Sequence, residues 1–281
     1  MKRPLFLYAL VLIACLPLSL VRGQGVSNVR IDKDERTLNS QWKGKRIAFL
    51  GDSMTEKKKG DSSLVYWEYL SDLLGLQPYV YGISGNQWDG IYKQALTLYN
   101  EHPDDVDAVF IFAGTNDYNH GLPLGTFYEE STKTTNHNGI EVIRKYRQPL
   151  NEPSTFCGRI NMVLSFLKEK FPKQQIIIMT PIHRGYAKFN DRNVQPEESF
   201  ANAQGLYIND YVQVLKQASQ NWSVPLIDLF SISGLYPLTS SHAGYFRKKD
   251  TDRLHLNGVG NYRLAKTIQY QLLALPSTFK E

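Results

Sequence analysis

The stretch "RIAFLGDSMT" (46–55) sets the reading of the fold: an apolar run meets a glycine and turns abruptly polar. Four to six continuously apolar residues bounded by glycine read as a strand buried on both faces. The same pattern recurs in "QPYVYGI" (77–83), "DAVFIFAG" (107–114), "QQIIIMT" (174–180) and "VPLIDL" (224–229). Between these runs the apolar residues change to helical spacing. In "SSLVYWEYLSDLLG" (62–75), Leu64, Trp67, Leu70, Leu73 and Leu74 share one face, and Gly75 supplies a stop. Further helices are predicted over 88–102, 154–171, 199–222 and 255–275. Strands that are apolar throughout and alternate with amphipathic helices form parallel sheets covered on both faces. The expectation is an α/β protein: one three-layer α/β/α domain over 45–281 with a five-stranded, mostly parallel sheet.

The irregular stretches 117–153, 182–198 and 230–252 each begin just after a predicted strand. In open parallel sheets the carboxyl ends of the strands form the ligand-binding edge. "GDS" lies on that same edge.

Composition narrows the function classes. The chain has 281 residues, 42% hydrophobic and 21% charged, with a net charge of +5. It lacks the long basic stripe of a nucleic-acid-binding protein. Lys57, Lys58 and Lys59 form the tightest basic cluster, read as a solvated loop or as a loop beside a pocket that attracts anions. The opening "MKRPLFLYALVLIACLPLSLVRGQ" has a basic start, an apolar core too short for a comfortable span, and a cleavage pattern ending at Gly23. Residues 1–23 are therefore expected to be a signal peptide and 24–44 an extended polar lead-in. Cys15 also sits in a lipoprotein-like box, an alternative in which the exported chain is lipid-anchored. Without that segment Cys157 is the single cysteine, expected to be buried and neither bridged nor metal-bound.

Ser53 follows a buried strand, where a serine projects into any cleft the late loops make. It needs a base within hydrogen-bond reach to act as a nucleophile. "DRLHLN" (252–257) offers one: a spacing of three lets a turn set Asp252 against His255. In "YGISGN" (81–86), Gly85 presents a backbone N–H unobstructed by a side chain. In "GTND" (114–117), Asn116 offers an amide. With the Ser53 N–H these make three donors for a developing oxyanion. His183 and Arg184, after the fourth strand, are candidates for substrate contact or for plain surface residues. His120, His137 and His242 read as loop residues, since no metal-ligand spacing links them. Tyr186, Phe189, Tyr236, Tyr245 and Phe246 crowd the late loops, where aromatics serve as a sugar platform or wall an acyl pocket.

Taken in order, GDS, ISGN, GTND and D-x-x-H resemble the four blocks of the SGNH hydrolases, also called the GDSL esterase/lipase family. The likeness spans roughly 45–275, with Met54 where the family usually has leucine. The resemblance implies a flavodoxin-like sheet and an ester hydrolase with Ser53 as nucleophile. It also implies Asp252 and His255 as base system, Ser53, Gly85 and Asn116 as oxyanion hole, and no metal or organic cofactor. The expected substrate is a small-molecule or glycan ester, first an acetylated carbohydrate. A lysophospholipase and a catalytically silent binding module on the same fold are the alternatives.

Overall fold

The computed structural model describes residues 28–31, 39–59 and 62–279. The expected signal peptide, including Cys15, lies outside the described residues. The first half of the chain runs β1 (Arg46–Gly51), α1 (Tyr66–Leu74), β2 (Gln77–Val80), α2 (Trp88–Glu101), β3 (Ala108–Phe112) and α3 (Thr115–Asn119). An antiparallel ribbon, β4 (Tyr128–His137) and β5 (Ile140–Pro149), precedes α4 (Phe156–Lys170) and β6 (Gln175–Met179). A short hairpin, β7 (Ala187–Asn190) and β8 (Asn193–Gln195), leads to α5 (Ile208–Trp222), β9 (Leu226–Ile227) and α6 (Leu229–Ile232). The chain closes with β10 (Phe246–Lys248), β11 (Asp252–Leu256) and α7 (Gly258–Leu272).

The five expected strands form one parallel sheet in the order β2-β1-β3-β6-β9. Side chains alternate across it. Ala48, Leu50, Val109, Ile111, Ile176 and Ile178 face a layer built from α2, α4 and α5. Ile47, Phe49, Phe110, Phe112, Ile177 and Met179 face the layer of α1 and α7. Because both faces are covered, the strands are apolar at every position, which is the pattern that identified them. After β1 the chain crosses to β2 on one side, then returns past it to β3 on the other. The crevice between the ends of β1 and β3 is thus the topological switch point, the usual ligand site of this sheet order.

Several expectations change in detail. The lead-in is part of the core at Trp42, which is fully buried, donates its indole N–H to the Leu272 carbonyl at 2.7 Å, and meets Phe110 edge-on. Residues 199–207, expected to be helical, form a loop held by Asn202. Its side chain donates to the Tyr118 carbonyl and accepts from the Gln204 and Leu206 N–H groups. Such local side-chain bonds offer the backbone an alternative to the helix. The stretch 117–153, expected to be irregular, contains the β4–β5 ribbon, whose residues are exposed on both faces and so carry no apolar period. The fifth strand shortens to Leu226–Ile227 because the Asp228 side chain caps α6 through the Ser231 N–H.

Candidate active site

Ser53 stands in a tight turn at the end of β1, where the Asp52 carbonyl accepts from the N–H groups of Thr55 and Glu56 at 3.0 and 2.9 Å. Two features hold this turn. Gln94 of α2 grips Gly51 by accepting its N–H and donating to its carbonyl, both at 2.8 Å. Gly51 has no room for a side chain, since a Cβ would lie 2.2 Å from the Thr55 hydroxyl and 2.9 Å from the Phe112 carbonyl. The chain here passes directly against β3, and only glycine permits it.

The base comes from a second, antiparallel sheet of order β10-β11-β7-β8. Asp252 and His255 both lie on β11, three residues apart, a spacing that would send regular strand side chains to opposite faces. The pairing of β10 with β11 shifts register between Phe246 and Lys248. Asp252 Oδ1 also accepts the His255 and Leu254 N–H groups at 3.0 and 3.3 Å, folding the segment around its own side chain. A bulged strand, not the short turn expected, therefore brings carboxylate and imidazole together. Asn257 then caps α7 by accepting the Gly260 N–H and ties the segment down by donating to the Gly244 and Phe246 carbonyls.

His255 Nε2 lies 2.9 Å from Ser53 Oγ, and its Nδ1 lies 3.1 Å from both oxygens of Asp252. A carboxylate only accepts, so Nδ1 carries the ring proton and Nε2 offers its lone pair to the serine hydroxyl. Burial pushes the Asp252 carboxyl up, but the hydrogen bond and charge of His255 outweigh it and hold the group below the usual aspartate value. Asp252 and His255 are 4% and 9% exposed, so water screens their interaction little.

Gly85 adopts φ +80°, the left-handed region that glycine enters freely, and open space lies where a Cβ would point. The Ser53 and Gly85 N–H groups have no acceptor among the described residues, and both residues line the same cleft. Asn116 lines it too, at the start of α3. Its Nδ2 donates to the Asn86 carbonyl at 3.0 Å and faces Asp52 Oδ2 at 3.3 Å. The cleft has a volume of about 390 Å³. The β7–β8 hairpin contributes Phe189, Asn193 and Gln195 to its lining, and Lys58 and Ser84 line it too. The Phe189 ring lies 5.4 Å from the His255 ring. Of the five late-loop aromatics only Phe189 lines the cleft; Phe246 is in the core.

His183 and Arg184 do not line the cleft. His183 Nδ1 meets Glu198 Oε1 at 2.5 Å while its ring packs against Phe230, tilted by 33°. Arg184 is 1% exposed, reaches Gln195 at 2.7 Å and Thr115 at 3.4 Å, and lies over the Tyr118 ring. Arg184 is enclosed in the protein and braces a cleft residue, Gln195, while His183 is half-buried against Glu198 and Phe230. His120 Nδ1 donates to the Asn116 carbonyl at 2.8 Å, and Cys157 is free, buried and pushed up to about 11 by that burial. Among the described residues no group of three or more His, Cys, Asp or Glu side chains is arranged to hold a metal ion.

Sequence reading missed Asp52. It is 1% exposed, and burial pushes its carboxyl up to about 6, with the Met54 N–H and the charges of His255 and Arg184 opposing. The signal was present in the sequence: a carboxylate at the end of an apolar run has no water to solvate it.

The GDSL-like lipase/acylhydrolase family matches residues 49–263. Among solved structures, a protein from Lactobacillus plantarum is 25% identical, with a TM-score of 0.62 over 82% of this chain and 97% of its own. A possible lipase from Chitinophaga pinensis is 18% identical, with a TM-score of 0.61 over 82% and 99%. A lipase/acylhydrolase from Enterococcus faecalis is 18% identical, with a TM-score of 0.51 over 82% and 96%. No curated protein matches the chain. Among the described residues no helix is long and apolar enough to cross a membrane. With the family matched from the strand before Ser53 to the helix after His255, on a shared fold, this chain belongs to the GDSL-like lipase/acylhydrolase family and is a hydrolase of the esterase kind.

Proposed function

We propose that the protein is an exported serine esterase that removes short acyl groups, acetyl first, from carbohydrate. His255 takes the Ser53 proton as Ser53 Oγ attacks the ester carbonyl. The Ser53 and Gly85 N–H groups and the Asn116 amide receive the oxyanion. His255 then protonates the departing alcohol, and water releases the acid by the reverse steps. Asp252 keeps the imidazole in the tautomer this requires and stabilises its cation. The observation that carries the reading is the 2.9 Å contact between His255 Nε2 and Ser53 Oγ, backed by Asp252 on the other ring nitrogen.

The substrate class rests on the cleft. Its walls offer amides from Asn193 and Gln195 and a hydroxyl from Ser84, with Phe189 as an aromatic face. Sugars are recognised by this combination of polar groups and a ring platform, whereas a long acyl chain needs an apolar groove. Only Phe189 and Leu254 are apolar among the larger lining side chains. Export rests on the basic and apolar composition of residues 1–23.

Hydrolysis of p-nitrophenyl esters from acetyl to palmitoyl, alongside release of acetate from acetylated oligosaccharides, tests the reading. Activity concentrated on acetyl esters and abolished in Ser53→Ala is expected. A preference for long chains refutes the carbohydrate substrate. Full activity in Ser53→Ala refutes the nucleophile, and a folded wild type that no fluorophosphonate probe labels points to a binding module.

A further inference from the structure

Asn116 is hydrogen-bonded more fully than an oxyanion donor should be. An amide nitrogen carries two hydrogens. In this structure one is given to the Asn86 carbonyl at 3.0 Å and the other faces Asp52 Oδ2 at 3.3 Å. No hydrogen is left for a substrate oxygen, so one of these partners must be exchanged when the oxyanion forms. Asn86 offers a backbone carbonyl fixed in the turn before α2, and its bond is the shorter. Asp52 offers a side chain at the longer distance, and its other oxygen is separately held by the Met54 N–H at 2.9 Å.

A carboxylate is an unexpected residue for Asp52 if its work is only to hold the Ser53 turn. Accepting the Met54 N–H is within reach of asparagine or serine, which carry no charge to desolvate. Asp52 is 1% exposed and makes no ion pair within salt-bridge distance among the described residues. What a carboxylate adds is a second oxygen that can only accept, aimed at Asn116.

Resting on the proposed esterase reading, we propose that Asp52 is a positioning residue acting through Asn116. Its carboxylate holds one Asn116 amide hydrogen beside the oxyanion site and yields it to the substrate oxygen as negative charge develops there. The exchange replaces a 3.3 Å contact in the resting enzyme by a hydrogen bond to an oxygen that becomes fully charged only in the transition state. Interactions stronger in the transition state than in the ground state are those that raise kcat.

The test is a double-mutant cycle on an acetyl ester. In Asp52→Asn the Met54 N–H claims the remaining oxygen, so the new Nδ2 is set against Asn116 Nδ2, donor against donor. The expected result is a kcat loss of roughly 10- to 100-fold, below the roughly 10²- to 10³-fold typical when an oxyanion donor is deleted outright. KM and Tm should change little. Affinity for a trifluoromethyl ketone, which forms a tetrahedral oxyanion on Ser53, should fall in step with kcat. In an Asn116→Ala background the same substitution should cost nothing further. Asp52→Ser, which keeps an acceptor for Met54 but cannot reach Asn116, should repeat the loss. A full loss that persists without the Asn116 amide overturns the proposal, as does wild-type kcat in both Asp52 variants or failure of both to fold. Failure of the esterase reading itself is recognised separately, by ester hydrolysis that survives Ser53→Ala.

Discussion

Asp252→Asn changes one atom's hydrogen-bonding sense at the centre of the site. The substituted side chain keeps its Oδ1, which accepts the His255 and Leu254 N–H groups at 3.0 and 3.3 Å, so the bulged strand has no cause to move. Its Nδ2, however, now donates toward His255 Nδ1, formerly 3.1 Å from a carboxylate oxygen. To accept that hydrogen bond the imidazole must shift its proton to Nε2, the nitrogen 2.9 Å from Ser53 Oγ. A protonated Nε2 cannot take the serine proton, and the negative charge that would stabilise the imidazolium is gone. In a serine–histidine–aspartate system this combination is worth roughly four decades of kcat, or about 5.5 kcal/mol at 1.36 kcal/mol per decade. Because ester binding does not use that proton, KM for p-nitrophenyl acetate should stay within about threefold. Steady-state kinetics with a matched thermal melt measures both. A folded Asp252→Asn protein retaining kcat within tenfold of wild type would refute the reasoning, because His255 would then not depend on this carboxylate for its tautomer.

Other expected outcomes are simpler. Trp42→Ala opens a cavity between α7 and the sheet and removes the bond to Leu272, so urea unfolding should show a loss of about 3–5 kcal/mol with little change in kcat. Phe189→Ala should raise KM for acetylated oligosaccharides several-fold while sparing p-nitrophenyl acetate, since the ring faces the cleft beyond His255. Lys58→Ala should weaken esters that carry a carboxylate more than neutral ones, an effect that disappears at high salt. Burial raises the Asp117 carboxyl to about 7, above its ordinary 3.8, so the folded state keeps a proton that the unfolded state has released. Its contribution is complete below about pH 4 and is lost as pH climbs through about 7. Asp117→Asn keeps the acceptor for the Trp88 N–H, and urea titrations from pH 4.5 to 8 should show it losing less stability than wild type over that interval.

Much of this protein is legible in one dimension because its central strands are covered on both faces. Continuous apolar runs such as Phe49–Leu50 and Phe110–Ile111 have no other stable home, and their alternation with helices commits the chain to a parallel sheet. Ser53 and Asn116 were placed on one edge by their positions at strand ends and paired by the resemblance of the four blocks, while the order that sets β1 beside β3 comes from the structure. The β4–β5 ribbon was illegible for the complementary reason: exposed on both sides, it needs no apolar period. The partners of His183 and Arg184 were illegible because nothing in "TPIHRGY" announces that Glu198, Thr115 and Gln195 will meet them.

The sequence by itself determined the layer architecture and the loaded edge of the sheet, and its resemblance to a family named five residues there. Only the tertiary structure decided how they face one another. The register shift that folds Asp252 under His255 depends on pairing with β10, and the full use of Asn116's amide depends on Asp52, at the end of β1, and Asn86, in the turn before α2. Burial patterns are written along a chain, because each residue's transfer free energy is its own. Hydrogen-bond partners are chosen across it, among groups whose distance no local pattern encodes.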